Sequence, residues 1–101
     1  MKAVCRRKGD IATVALSGEL DHFGAQSVID KLRSCAEDET VAALVVDMSK
    51  VTFMDSSGIG ALLGRYKTMK GRGAKMTIKS PGEEIYRLLR MAGMSNLVER
   101  N

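Results

Sequence analysis

The sequence predicts an α/β fold: a mixed β-sheet of four to five strands with helices packed on it, in the order β-β-α-β-α-β-α. Three observations predict it. Two short runs bearing apolar residues near the N-terminus are joined by Lys8-Gly9-Asp10, a turn that suits an antiparallel hairpin. Beyond them, strand-like runs alternate with segments of helical period. One of these runs, VAALVVDMS at 41–49, is so nearly continuous in apolar residues that it reads as a strand buried on both faces. A chain of 101 residues is expected to form one domain, residues 1–101.

The elements follow in order. The opening strands are placed at 2–7 and 11–17, with Val4, Ile11, Val14 and Leu16 supplying apolar contacts. A helix is expected to start near residues 23–25 and to end in the acidic run Glu37-Asp38-Glu39. Val28, Ile29, Leu32 and Cys35 form its stripe, with Lys31 and Arg33 outside it. After the strand at 41–49 comes a helix at about 56–71, then an alternating run at 74–80 that reads as a strand. SPGEEIYRLLRMAG carries helix punctuation: Ser80 as N-cap, Pro81 at the first helical position and Glu83 completing a capping box. Ile85, Leu88, Leu89 and Ala92 form its stripe, and Gly93 marks its end. NLVER, 96–100, is read as a short final element.

Composition narrows the function. Aromatic residues make up 4% of the chain, so the core is expected to rest on Val, Ile, Leu, Met and Ala. No apolar run approaches membrane-span length, and no apolar signal core follows the N-terminal charges; a cytoplasmic protein is expected. Cys5 and Cys35 lack CxxC or metal-ligand spacing and read as reduced thiols, and no metal or cofactor is expected. The net charge is +4, with nine Lys and Arg against three Asp and Glu from Arg65 onward. Scattered basic residues without an aromatic stacking platform point to an acidic protein partner rather than to nucleic acid.

The most informative stretch is VTFMDSSGIGALLGRYKTMKGRG, 51–73. On the helix it contains, Ile59, Leu62, Leu63, Tyr66 and Met69 or Lys70 form the expected core face. Ser57, Gly60, Ala61, Gly64, Arg65 and Thr68 form a second stripe that is small for most of its length. Gly60 and Gly64 each cost a helix roughly 1 kcal/mol relative to Ala. Two readings offset that cost: close packing against the sheet or a neighbouring helix, or a low face that another protein's backbone can approach. At the helix start, Asp55 or Ser56 can cap the free N–H groups. A hydroxyl there can also carry a phosphate, because the helix terminus tolerates added negative charge. One histidine, His22, and no G-x-S-x-G elbow leave a serine hydrolase without its machinery. Gly58, Gly60 and Gly64 do not have dinucleotide or P-loop spacing.

SGELDH at 17–22, FMDSSGIG at 53–60, LLGRYKTMKGRGAKM at 62–76 and MAGMSNLV near the end together resemble the STAS-domain family, in particular the anti-sigma factor antagonists of the SpoIIAA type. The resemblance covers nearly the whole chain. It implies a protein that is not an enzyme. The unphosphorylated form would bind an anti-sigma factor and release a sigma factor that directs transcription in sporulation or stress response. The anti-sigma factor would double as an ATP-dependent serine kinase and phosphorylate Ser56; a PP2C-type phosphatase would reverse it. Asp21, His22, Asp55, Ser57, Gly58, Gly60, Ala61 and Gly64 would form the partner surface, and the bulky Phe23 would tune partner choice. The alternative keeps the fold but makes the chain a STAS scaffold or docking module in a larger signalling or transport assembly.

Overall fold

The computed structural model describes residues 1–99. Strands β1 (Lys2–Lys8) and β2 (Ile11–Leu20) form the antiparallel hairpin, with Gly9 in the left-handed region at φ +62° at its tip. Helix α1 (His22–Glu37), strand β3 (Ala43–Met54), helix α2 (Ser56–Gly71) and strand β4 (Lys75–Lys79) follow. Helix α3 (Glu83–Met91), a 3₁₀ turn (Ser95–Leu97) and the two-residue strand β5 (Val98–Glu99) complete it. Arg100, the last residue of the expected final element, lies outside the described residues.

The sheet order is β1-β2-β3-β4-β5, antiparallel only at the first pair. The parallel strands march in one direction, and right-handed crossovers then put their helices on the same face. That face holds the core. Ala12, Val14 and Leu16 of β2, Leu44, Val46 and Met48 of β3, and Met76 and Ile78 of β4 are buried beneath α1 and α2. The other face stays open, which corrects the expectation of a strand buried on both sides. On β3 every second residue, Ala43, Val45 and Asp47, is only half-buried.

By strand alternation that open face carries Lys2, Arg6, Lys8, Lys75 and Lys79. Asp47 sits among them. The backbone N–H of Ser49 holds its carboxyl below the usual value against the effect of burial, and Lys79 and Lys50 act in the same direction.

Two strands run longer than the apolar pattern indicates. β2 continues to Leu20 and β3 to Met54, with register shifts between Ala15 and Ser17 and between Gly18 and Glu19. The extra residues lie in β3 and hide the alternation that would have revealed its extension. The expected capping box of α3 is absent. Ser80 lies at φ +56° and its N–H donates to the Glu99 carbonyl at 2.9 Å, so it is tied to the sheet edge. Helix α3 begins at Glu83 with Gly82 as a cap that makes no side-chain bond. Its stripe is narrower than expected: Ile85 and Leu89 are buried, whereas Leu88 and Ala92 are exposed.

Candidate functional site

The longer strands place the site. Leu20 and Met54 are register partners at the ends of β2 and β3. The chain leaves both strands in the same way, through Asp21-His22-Phe23-Gly24 and through Asp55-Ser56-Ser57-Gly58. Each Asp is an N-cap: the Asp21 carboxylate accepts from Gly24 N–H at 2.8 Å, and that of Asp55 accepts from Ser57 N–H at 2.9 Å. Asp55 N–H in turn donates to the Leu20 carbonyl at 3.4 Å, tying one start to the other. Two helix N-termini, each with partial positive charge, therefore open side by side at the end of the sheet where β2 and β3 finish.

The glycine ending each D-x-x-G has a steric reason. A Cβ on Gly24 would run into the Glu19 carbonyl. A Cβ on Gly58 would lie 2.8 Å from the Leu20 carbonyl oxygen and 2.5 Å from Met54 Cγ. Only glycine lets each helix rest directly on the strand ends. Gly24 was absent from the sequence-derived site; the doubled D-x-x-G spacing is the signal that finds it.

Between each Asp and Gly, two side chains face outward. In α2 these are Ser56, which is exposed, and Ser57, which is half-buried. In α1 they are His22 and Phe23, both exposed, with their rings edge to face at 5.4 Å between centroids. Phe23 is 80% exposed, more than Phe53 at 48%, in a chain poor in aromatic residues. A recess of about 450 Å³ lies beside it, lined by Met1, Glu19, Asp21, Gly24 and Ser27.

The fold brings together Asp21, His22, Phe23, Asp55, Ser56 and Ser57, and sorts the remaining residues of the small stripe. Gly60 is exposed and Gly64 half-buried; a Cβ on either would meet nothing within 4 Å. The close-packing reading of these two glycines is thereby removed. Gly58 and Ala61 go the other way: Gly58 is buried and Ala61 is 4% exposed, so neither offers a partner surface. The core line of α2 is Gly58, Ala61, Leu62 and Met69, while Ile59, Leu63 and Tyr66 are only half-buried and Lys70 is exposed. The helix is rotated relative to the expected face because its first turn must lie flat on Leu20 and Met54.

Arg72, counted with the basic surface in the sequence, has a structural task. Its guanidinium donates to the Ala36 carbonyl at 2.8 Å and the Val41 carbonyl at 2.7 Å. It thus joins the end of α2 to the end of α1. Among the described residues no group of three or more His, Cys, Asp or Glu is placed to hold a metal ion. Nor, among the described residues, is any helix long and apolar enough to cross a membrane.

Comparison with known proteins fits this geometry. Residues 2–100 match the STAS domain. The anti-sigma F factor antagonist of Paenibacillus polymyxa is 33% identical over 88 residues, which are 87% of this chain and 75% of that protein. The anti-sigma factor antagonist SpoIIAA in its unphosphorylated form superposes with a TM-score of 0.87 at 20% identity, covering 99% of this chain and 88% of the other. The phosphorylated Bacillus SpoIIAA superposes with a TM-score of 0.83, also at 20% identity, over 99% of this chain and 91% of the other. A one-layered helix arrangement on a mixed sheet, two capped helix starts at the ends of its inner strands and a match over residues 2–100 give one conclusion: the chain belongs to the STAS-domain family.

Proposed function

We propose that this protein is an anti-sigma factor antagonist whose binding is switched off by phosphorylation of Ser56. Ser56 carries the proposal: it is exposed at the first position of α2, its neighbour Asp55 already caps the helix, and its hydroxyl has no structural duty as the cap. The unphosphorylated chain binds an anti-sigma factor that is also a serine kinase, and the complex frees a sigma factor. A PP2C-type phosphatase restores the active form. The chain itself catalyses nothing.

The electrostatics support a switch in binding rather than in folding. The N-terminus of α2 favours an added anion by roughly 0.3–1 kcal/mol. Repulsion from Asp55 in a watery setting is on the order of 1–2 kcal/mol. These nearly cancel, so phosphate on Ser56 leaves the fold intact. At an interface the same dianion must be desolvated or must face carboxylates. A loss of about 4 kcal/mol there weakens binding roughly a thousandfold. His22 and Phe23 stand on the adjoining helix start and give the partner a contact beside the acceptor. Gly60 and Gly64 extend the surface along α2 as a low face.

The test is incubation with the cognate anti-sigma kinase and ATP, followed by peptide mass spectrometry and sizing of the complex. One phosphate on Ser56 with loss of the complex is expected. Stable binding without phosphate would make the chain a docking module and reduce DSSG to a helix cap.

A further inference from the structure

Cys5 and Cys35 are far apart in sequence and have no role in the surface just described. The fold brings them into contact. Cys5 lies on β1, opposite Val14, and is exposed; Cys35 lies near the end of α1 and is buried. Their sulfur atoms are 3.5 Å apart. Cys35 lies about 20 Å along α1 from His22, well away from the helix starts.

Strand and helix are held in register around the pair. Arg7 forms an ion pair with Asp38 at 3.5 Å, and Lys31 Nζ donates to the Ala3 carbonyl at 3.0 Å. A disulfide needs its sulfurs about 2.05 Å apart. The remaining approach is small, and β1 is an edge strand bonded to β2 alone. Closing the gap falls to Cys5, the exposed partner on the edge strand.

We propose that Cys5 and Cys35 form a dithiol that hydrogen peroxide oxidises to an intramolecular disulfide joining β1 to α1. The exposed Cys5 meets the oxidant first. Its thiolate sulfur attacks one peroxide oxygen, the O–O bond breaks, and the second oxygen leaves as hydroxide and takes a proton to become water. Cys5 is then a sulfenic acid. The sulfur of Cys35, losing its proton, attacks the Cys5 sulfur; the S–S bond forms and the S–O bond breaks, releasing a second water. Two thiols and one peroxide give one disulfide and two waters. The two sulfurs lose the two electrons that the peroxide oxygens gain.

The surroundings fit this division of labour. Burial pushes the Cys35 thiol up to about 11, with the hydrogen bond and charge of Cys5 adding to the rise. Arg7 acts in the opposite direction, and Asp38 in the same one. Cys35, buried and with its pKa raised, is therefore the slower of the two thiols to meet the oxidant and acts second.

The test uses the intact chain. Reduced protein is treated with hydrogen peroxide at neutral pH, quenched with an alkylating reagent and mapped without reduction. The expected result is joint loss of both thiols in the monomer and a crosslinked pair of peptides containing Cys5 and Cys35. The melting temperature should rise by about 10 °C, since the bond closes a long loop, and reductant should reverse the rise. In Cys35→Ala, Cys5 should accumulate sulfenic acid that dimedone traps, while wild-type protein yields little. Dimers linked through Cys5, or sulfinic acid on Cys5 with Cys35 still a thiol, would overturn the proposal. Equal dimedone trapping in wild type and Cys35→Ala would overturn it too. If Cys35→Ala fails to fold, the wild-type peptide map alone decides.

Discussion

Gly58→Ala and Gly60→Ala are the same chemical change two residues apart on one helix, and opposite outcomes are expected. Helix propensity favours Ala by roughly 1 kcal/mol at an interior position. At Gly60 nothing lies within 4 Å of the new Cβ. The gain is therefore unopposed, and Gly60→Ala should stabilise the protein by about 0.5–1 kcal/mol. At Gly58 the Cβ would lie 2.8 Å from the Leu20 carbonyl oxygen, 2.9 Å from Leu20 Cγ and 2.5 Å from Met54 Cγ. The Met54 side chain can turn aside, but the Leu20 carbonyl is fixed in the sheet. Relief requires α2 to lift from the strand ends. Overpacking of this kind costs about 1–3 kcal/mol, which outweighs the propensity gain at a first-turn position. A net loss of about 1–2 kcal/mol is expected for Gly58→Ala. Urea denaturation measures both, each kcal/mol moving the midpoint by roughly 0.5–1 M in a domain of this size. Stabilisation by Gly58→Ala would refute the packing argument. A destabilised Gly60→Ala would refute the claim that this glycine is free of the core. Binding adds a second reading: if Gly60→Ala is more stable yet binds the anti-sigma kinase less tightly, the glycine serves the partner rather than the fold.

Three other outcomes are expected. Ser56→Asp should keep its circular dichroism spectrum but bind the kinase about tenfold or more weakly, and Ser56→Ala should bind and resist phosphorylation; a collapsed Ser56→Asp spectrum would place the switch in the fold. Asp55→Ala should lose about 1 kcal/mol as the cap is removed, while Asp55→Asn retains an acceptor and should lose little; denaturation reports the cap, and a weakened kinase complex for the Asn variant alone would assign the carboxylate to the interface. Arg72→Ala should destabilise the protein by about 2–3 kcal/mol by leaving the Ala36 and Val41 carbonyls without their charged donor, with little change in partner affinity per folded molecule.

What was legible in the sequence is what depends on local pattern. The order of strands and helices follows from period and turn residues, and the Asp-Ser-Ser-Gly start of α2 announces its cap. What was not legible depends on contacts between distant segments. Ser80 has the residues of a capping box behind it, but its N–H is drawn to Glu99 across the sheet. Ala61 fits a small surface stripe by spacing, but Gly58 fixes the helix's rotation and turns Ala61 inward. The bulges in β3 break the alternation that would have shown β2 and β3 ending together. Without that shared end, only the family resemblance joins Asp21 to Asp55; local pattern alone does not. The meeting of Cys5 with Cys35 has no local signature either, since β1 and α1 meet only when the hairpin closes over the helix.

If Ser56 is the acceptor, as proposed, the two glycines pressed against the strand ends have a consequence for how a kinase meets it. A kinase commonly draws its acceptor out as an extended segment. Here Gly58 is pinned two residues past the serine, and extending the acceptor would lift the first turn of α2 off Leu20 and Met54. The enzyme must instead dock onto a preassembled shape, in which His22 and Phe23 come from a segment more than thirty residues earlier in the chain. A short peptide containing DSSG presents the right residues without that shape and is a poor mimic. On that proposal, modification of Ser56 would report more than the presence of the serine. It would certify that the chain carrying it has folded, so nascent or damaged copies would be left out of the signal.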